Sequence, residues 1–98
     1  MKEIIFLGGM FFDFPIPKER QFLLKYFKSP LRTQFVKYYL CFGEIDNFVD
    51  HTGFYCERRW LEVLKKRMDK MIVTYEYFKK NFELDKLAEI ESGAYKFK

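Results

Sequence analysis

The sequence predicts a mainly all-α fold: one small helical domain with an extended N-terminal arm. Three observations carry that expectation. From Phe22 onward, apolar residues recur at three- and four-residue steps, the spacing that lines one face of a helix. All three prolines, Pro15, Pro17 and Pro30, fall in the first third of the chain, and no Gly or Pro stands between Gly53 and Gly93. With 49% hydrophobic and 33% charged residues in a length of 98, the composition is that of a single globular domain rather than a disordered chain.

Residues 1–17 are expected to form the arm. The apolar run Ile4 to Leu7 suits a short strand or an extended arm equally, and Gly8–Gly9 suits a turn that folds it back. Pro15 and Pro17 exclude a helix from the aromatic segment that holds Phe11, Phe12 and Phe14. Residues 18–56 read as short helices. The first spans Lys18 to Lys28, with Phe22, Leu23, Tyr26 and Phe27 inward. The second runs from Pro30 to Phe42, with Ser29 as cap, Pro30 at the first helical position and Gly43 as terminator. The third covers Glu44 to His51, with Ile45, Phe48 and Val49 on its apolar face. Residues 57–91 read as a long helix, in which Leu84, Leu87 and Ile90 either continue the helix or form a short final one. Residues 92–98 read as a tail.

Charge is distributed unevenly. The formal net charge of +4 resolves into +4 over residues 1–43, −3 over 44–56, +4 over 57–80 and −1 over 81–98. An acidic segment between two basic ones points to an anionic partner for the basic parts.

Residues 44–64, EIDNFVDHTGFYCERRWLEVL, carry the functional reading. Phe48 and Val49 form an apolar pair on a first helix. Gly53 stands at a turn that wants a positive φ, and Phe54 is the apolar residue just after it. Trp60 then takes the buried position inside a second helix, seven residues after Gly53, which asks for a turn one residue longer than the commonest spacing. This segment resembles the helix-turn-helix of bacterial and phage regulators and of sigma-factor-like domains. The resemblance implies a small transcriptional regulator that binds duplex DNA through the helix starting near Glu57. With Trp60 and Leu64 inward, the DNA-binding residues are expected to be Tyr55, Arg58, Arg59, Glu62, Lys65, Lys66 and Lys70. Arg58 and Arg59 would read guanine or clamp phosphate, Glu62 would accept from cytosine or pair with Lys66, and the lysines would give salt-sensitive affinity.

From Leu64 the long helix also keeps a heptad rhythm through Met68, Met71, Tyr75, Phe78 and Phe82. As core, this stripe packs on the helices of its own chain. As interface, it joins two copies into a homodimer and spaces two recognition helices, the arrangement its length favours. The alternative function is a protein-interaction module, an inhibitor or adaptor, that uses the same helix and exposed aromatics without DNA.

No enzymatic activity, cofactor or metal is expected. Cys41, His51 and Cys56 do not have the spacing of a zinc site, and no second His completes one. The opening KEIIFLGGMFFDFP superficially resembles the start of the nucleotidyltransferase superfamily, but the histidine pair that family needs has no counterpart beside the lone His51. No apolar stretch is long enough to cross a membrane and no signal peptide stands at the start, so a cytoplasmic protein with reduced thiols is expected.

Overall fold

The computed structural model describes residues 2–97; Met1 and Lys98, the ends of the expected arm and tail, lie outside the described residues. It corrects the all-α expectation, because 59% of the chain is helical and the rest includes a two-stranded antiparallel sheet. The N-terminal arm is a β-hairpin. Strand β1 (Lys2–Leu7) pairs with β2 (Met10–Pro15) from Lys2↔Pro15 to Leu7↔Met10. The two-residue loop between them takes φ of 53° at Gly8 and 87° at Gly9, the doubly positive turn whose twist matches that of paired strands.

A single 3-10 turn (Lys18–Arg20) leads into the one-turn helix α1 (Leu23–Tyr26), shorter than the expected 18–28. Helix α2 (Pro30–Phe42) has the expected bounds, and its local chemistry explains them. The Ser29 hydroxyl accepts from the Arg32 N–H, Pro30 opens the first turn, and Gly43 closes the helix in the left-handed region. Helix α3 is a five-residue piece (Phe48–Thr52), and α4 (Arg58–Lys80) and α5 (Leu84–Ser92) divide the expected long helix.

That division has no Gly or Pro to announce it. Phe82 sits at φ 57°, the Glu83 N–H donates to the Phe78 carbonyl, and the Phe82 N–H donates to the Lys79 carbonyl. This is the Schellman pattern of a helix end, with phenylalanine where glycine is usual. Phe82 is 83% exposed, so packing does little to offset its strained backbone. Phe82→Gly is expected to stabilise the fold by about 1 kcal/mol through relief of the left-handed strain, with Phe82→Ala showing no such gain. Urea unfolding of the three chains checks this, and a Gly variant no more stable than the Ala variant refutes it.

The core joins all five helices: Phe22, Leu23 and Phe27 on or beside α1, Phe35, Val36 and Tyr38 on α2, Phe48 on α3, Leu61, Leu64, Met68, Met71 and Tyr75 on α4, and Ile90 on α5. The heptad stripe expected at a dimer interface is thus largely core. Leu64, Met68, Met71 and Tyr75 are buried against their own chain and are unavailable to a second copy. Phe78 is half-buried against Tyr95 of the C-terminal segment, and only Phe82 is exposed. The expected tail folds back as well, with Phe97 edge-on to Tyr26. Helix α4 lies along the domain rather than projecting from it, its C-terminal half tied down by the Tyr75–Phe22 ring stack and the Glu76–Arg20 ion pair.

Tyr75 makes the core sensitive to alkali. Its hydroxyl donates to Glu91 at 3.1 Å. Burial first, then that bond and the negative charges of Glu91, Glu19 and Glu76, push its pKa up from 10.0 to about 12. The fold therefore favours the neutral phenol, and this contribution to stability is complete below pH 10 and is lost as pH rises toward 12. Tyr26 and Tyr38 are shifted the same way, each chiefly by burial. The melting temperature is expected to fall between pH 9.5 and 11.5 more steeply for the native chain than for Tyr75→Phe; parallel curves contradict the assignment.

Candidate functional site

The bend around Gly53 forms as a left-handed turn at φ 78°, with the Gly53 N–H closing on the Val49 carbonyl. Thr52, fully buried, ties it on both sides: its hydroxyl donates to the Phe48 carbonyl and accepts from the Phe54 N–H. Phe54 stacks on Phe48, and Trp60 lies against Phe35, so both apolar anchors expected of the bend face the core. The bend differs in two respects from the pair of helices expected. Helix α3 has only five residues and packs on β1 and α2 rather than along α4, and residues 54–57 have no regular structure before α4 begins at Arg58.

The seven residues expected to contact DNA divide into two groups. Arg58 is held by Asp46 and, at 3.3 Å, by Glu62. The Asp46 carboxylate is the main reason its already high pKa is raised further. Lys65 pairs with Asp69 at 2.9 Å and lies over the Tyr39 ring, and its pKa is likewise raised, chiefly by Asp69. Arg58, Glu62 and Lys65 are thus engaged in ion pairs within the protein. Tyr55, Arg59, Lys66 and Lys70 are exposed, and none of the four takes part in an ion pair among the described residues.

Helical phase brings three of these together. Arg59, Val63, Lys66, Lys70, Val73, Tyr77 and Lys80 follow steps of four and three and form one stripe opposite the buried face of α4. All seven are exposed. The three acids of α4, Glu62, Asp69 and Glu76, each have a cationic partner, in Arg58 (which also holds Asp46), Lys65 and Arg20. Arg59, Lys66, Lys70 and Lys80 therefore present four cations on a helix with no unpaired acid. From Arg59 to Lys80 the stripe runs about 32 Å at the α-helical rise. Lys80 was not among the expected residues, although extending the same phase one turn past Tyr77 reaches it.

Compared with known protein families, curated proteins and solved structures, the chain matches none.

The remaining reactive groups are engaged elsewhere. His51 Nδ1 lies 2.7 Å from the Tyr38 hydroxyl, and the Cys41 thiol donates to the Pro15 carbonyl. Burial raises the pKa of both Cys41 and Cys56, the opposite of what activates a thiolate. Among the described residues, no group of three or more His, Cys, Asp or Glu is placed to hold a metal ion, and no helix is long and apolar enough to cross a membrane.

Proposed function

We propose that the protein binds duplex DNA through the outward face of α4, as a small regulator in which the bend at Gly53 plays the part of a helix-turn-helix. The observation that carries this reading is the row of four cations, Arg59, Lys66, Lys70 and Lys80, without ion-pair partners among the described residues while every acid on the helix has one. Such a row neutralises phosphates and releases counterions, which makes affinity strong at low salt and weak at high salt. The internal pairing of Arg58 with Asp46 and Glu62 removes two of the residues expected to read bases, so binding rests on phosphate contacts more than on sequence. Its place is the cytoplasm, where Cys41 and Cys56 stay reduced.

Fluorescence anisotropy with a labelled duplex, titrated across a range of salt, tests the proposal on the native chain and on Arg59→Gln, Lys66→Gln, Lys70→Gln combined. Loss of most of the affinity in the triple variant supports it. Unchanged binding in that variant, or no binding by the native chain at low salt, overturns it.

The alternative, a protein-interaction module, is favoured by a different observation: Met10, Phe11 and Phe12 stand exposed on β2, remote in sequence from α4.

A further inference from the structure

The two outer edges of the hairpin are treated differently. Because Leu7 and Met10 flank a two-residue turn, the pairs Leu7–Met10, Ile5–Phe12 and Glu3–Phe14 bond to each other, while Ile4 and Phe6 direct their backbone groups away from β2. The β1 edge is closed by α2. The Phe6 N–H donates to Gln34 Oε1 at 2.6 Å, and the Ile4 carbonyl accepts from Gln34 Nε2 at 3.3 Å and Lys37 Nζ at 3.2 Å. On β2 the outward groups are the N–H and C=O of Phe11 and Asp13 and the Pro15 carbonyl; the Cys41 thiol bonds the last, and among the described residues nothing bonds the other four. An open edge carrying Met10, Phe11 and Phe12 at 62%, 70% and 40% exposure is a template for another strand.

We propose that this edge joins a second copy of the chain, β2 against β2 in antiparallel two-fold register centred on Phe12, to make a four-stranded sheet. The strand is complementary to itself in that register. Phe11 faces Asp13 of the other copy and exchanges both backbone hydrogen bonds with it, twice over by symmetry. On the face shared with buried Ile5, Phe12 meets Phe12 and Met10 meets Phe14, so apolar side chains oppose apolar ones throughout. Shifting the centre to Asp13 would set two carboxylates opposite each other and bring Pro15, which has no N–H, against Phe11. The exposed parts of Met10, Phe11, Phe12 and nearby Phe42 amount to roughly 400 Å² per copy, taking about 200 Å² for each whole side chain. Complete cover of these side chains in both copies, together with the main-chain edge, would approach the roughly 1,000 Å² expected of a specific interface. Assembly stops at two copies, because Gln34 and Lys37 occupy the only other edge. DNA binding uses α4, where none of the residues of this edge lies, so the two stand or fall separately.

Sedimentation of the full chain is expected to give twice the chain mass. Asp13→Pro removes an outward N–H without touching a hydrogen bond inside the hairpin, and is expected to give a monomer that keeps its circular dichroism and melting transition. As a register test, Phe12→Cys is expected to cross-link to its own copy under mild oxidation, since directly opposed strand residues lie within disulfide reach. Ile4→Cys, somewhat more exposed but on the other strand, should cross-link no more than the native chain with its Cys41 and Cys56. A monomeric native chain at high micromolar concentration, a dimer that persists in Asp13→Pro as a folded protein, open-ended oligomers, or equal cross-linking at Ile4 and Phe12 would each overturn the proposal.

Discussion

Phe48→Ala is expected to lower the unfolding free energy by about 3–5 kcal/mol, a large part of the ~5–15 kcal/mol that holds a domain of this size together. The size of the effect follows from position. Phe48 is fully buried and is the only buried apolar residue of α3. Its ring meets Phe35 edge-on at 5.5 Å, Tyr38 at 5.6 Å and Phe54 in a stack at 6.4 Å. Truncation leaves a cavity that three rigid rings, two from α2 and one from the segment after α3, cannot close, and each loses an aromatic partner. It also frees the segment that carries His51, whose ring bonds the Tyr38 hydroxyl, so loss of packing and loss of that bond add. Urea denaturation followed by Trp60 fluorescence measures it. A loss below about 1.5 kcal/mol, the level of an ordinary surface or half-buried truncation, contradicts this packing.

The parts of the fold that were legible in the sequence are those governed by local chemistry. Ser29, Pro30 and Gly43 each act on the backbone within a few residues, and α2 begins and ends where they stand. The hairpin was hidden for the opposite reason. Met10, Phe11, Phe12 and Phe14 are apolar on both faces of β2, so no period-two alternation marks a strand, and only Gly8–Gly9 signalled the turn. The break at Phe82 was hidden because a Schellman end ordinarily advertises itself with glycine. Periodicity identified the apolar stripe from Leu64 to Tyr75 but is silent on what covers it; Phe22 and Ile90 of the same chain do so, not a second molecule.

The candidate site divides along the same line. Helical phase alone places Arg59, Lys66 and Lys70 outward, and the structure keeps them there. Pairing across elements is not a property of phase. The contact of Arg58 with Asp46, from the loop before α3, and of Glu76 with Arg20, far upstream, depends on how the chain returns on itself. Those contacts change what the helix offers, since they engage an arginine that was expected to read bases and screen an acid.

Neutralising Arg59, Lys66 and Lys70 together is expected to weaken DNA binding by one to two orders of magnitude near 50 mM salt and to flatten its salt dependence. Four phosphate contacts give a slope of log affinity against log salt near −3.6, and the one contact left at Lys80 gives about −0.9. Between 50 and 200 mM salt the native chain should therefore lose roughly 150-fold in affinity and the triple variant only about 4-fold. Arg58→Gln separates this from a general effect of basic charge. Arg58 already serves Asp46 and Glu62, so removing it costs a phosphate contact only if those pairs open on binding. Its slope is expected to stay near the native value, and a loss of a full unit would mean that the bend at Gly53 rearranges on DNA to release this arginine. Glu62→Gln sharpens the comparison: it frees Arg58 from one of its two acids without adding a cation, and a steeper slope in that variant would place Arg58 beside the phosphates with Glu62 as its competitor.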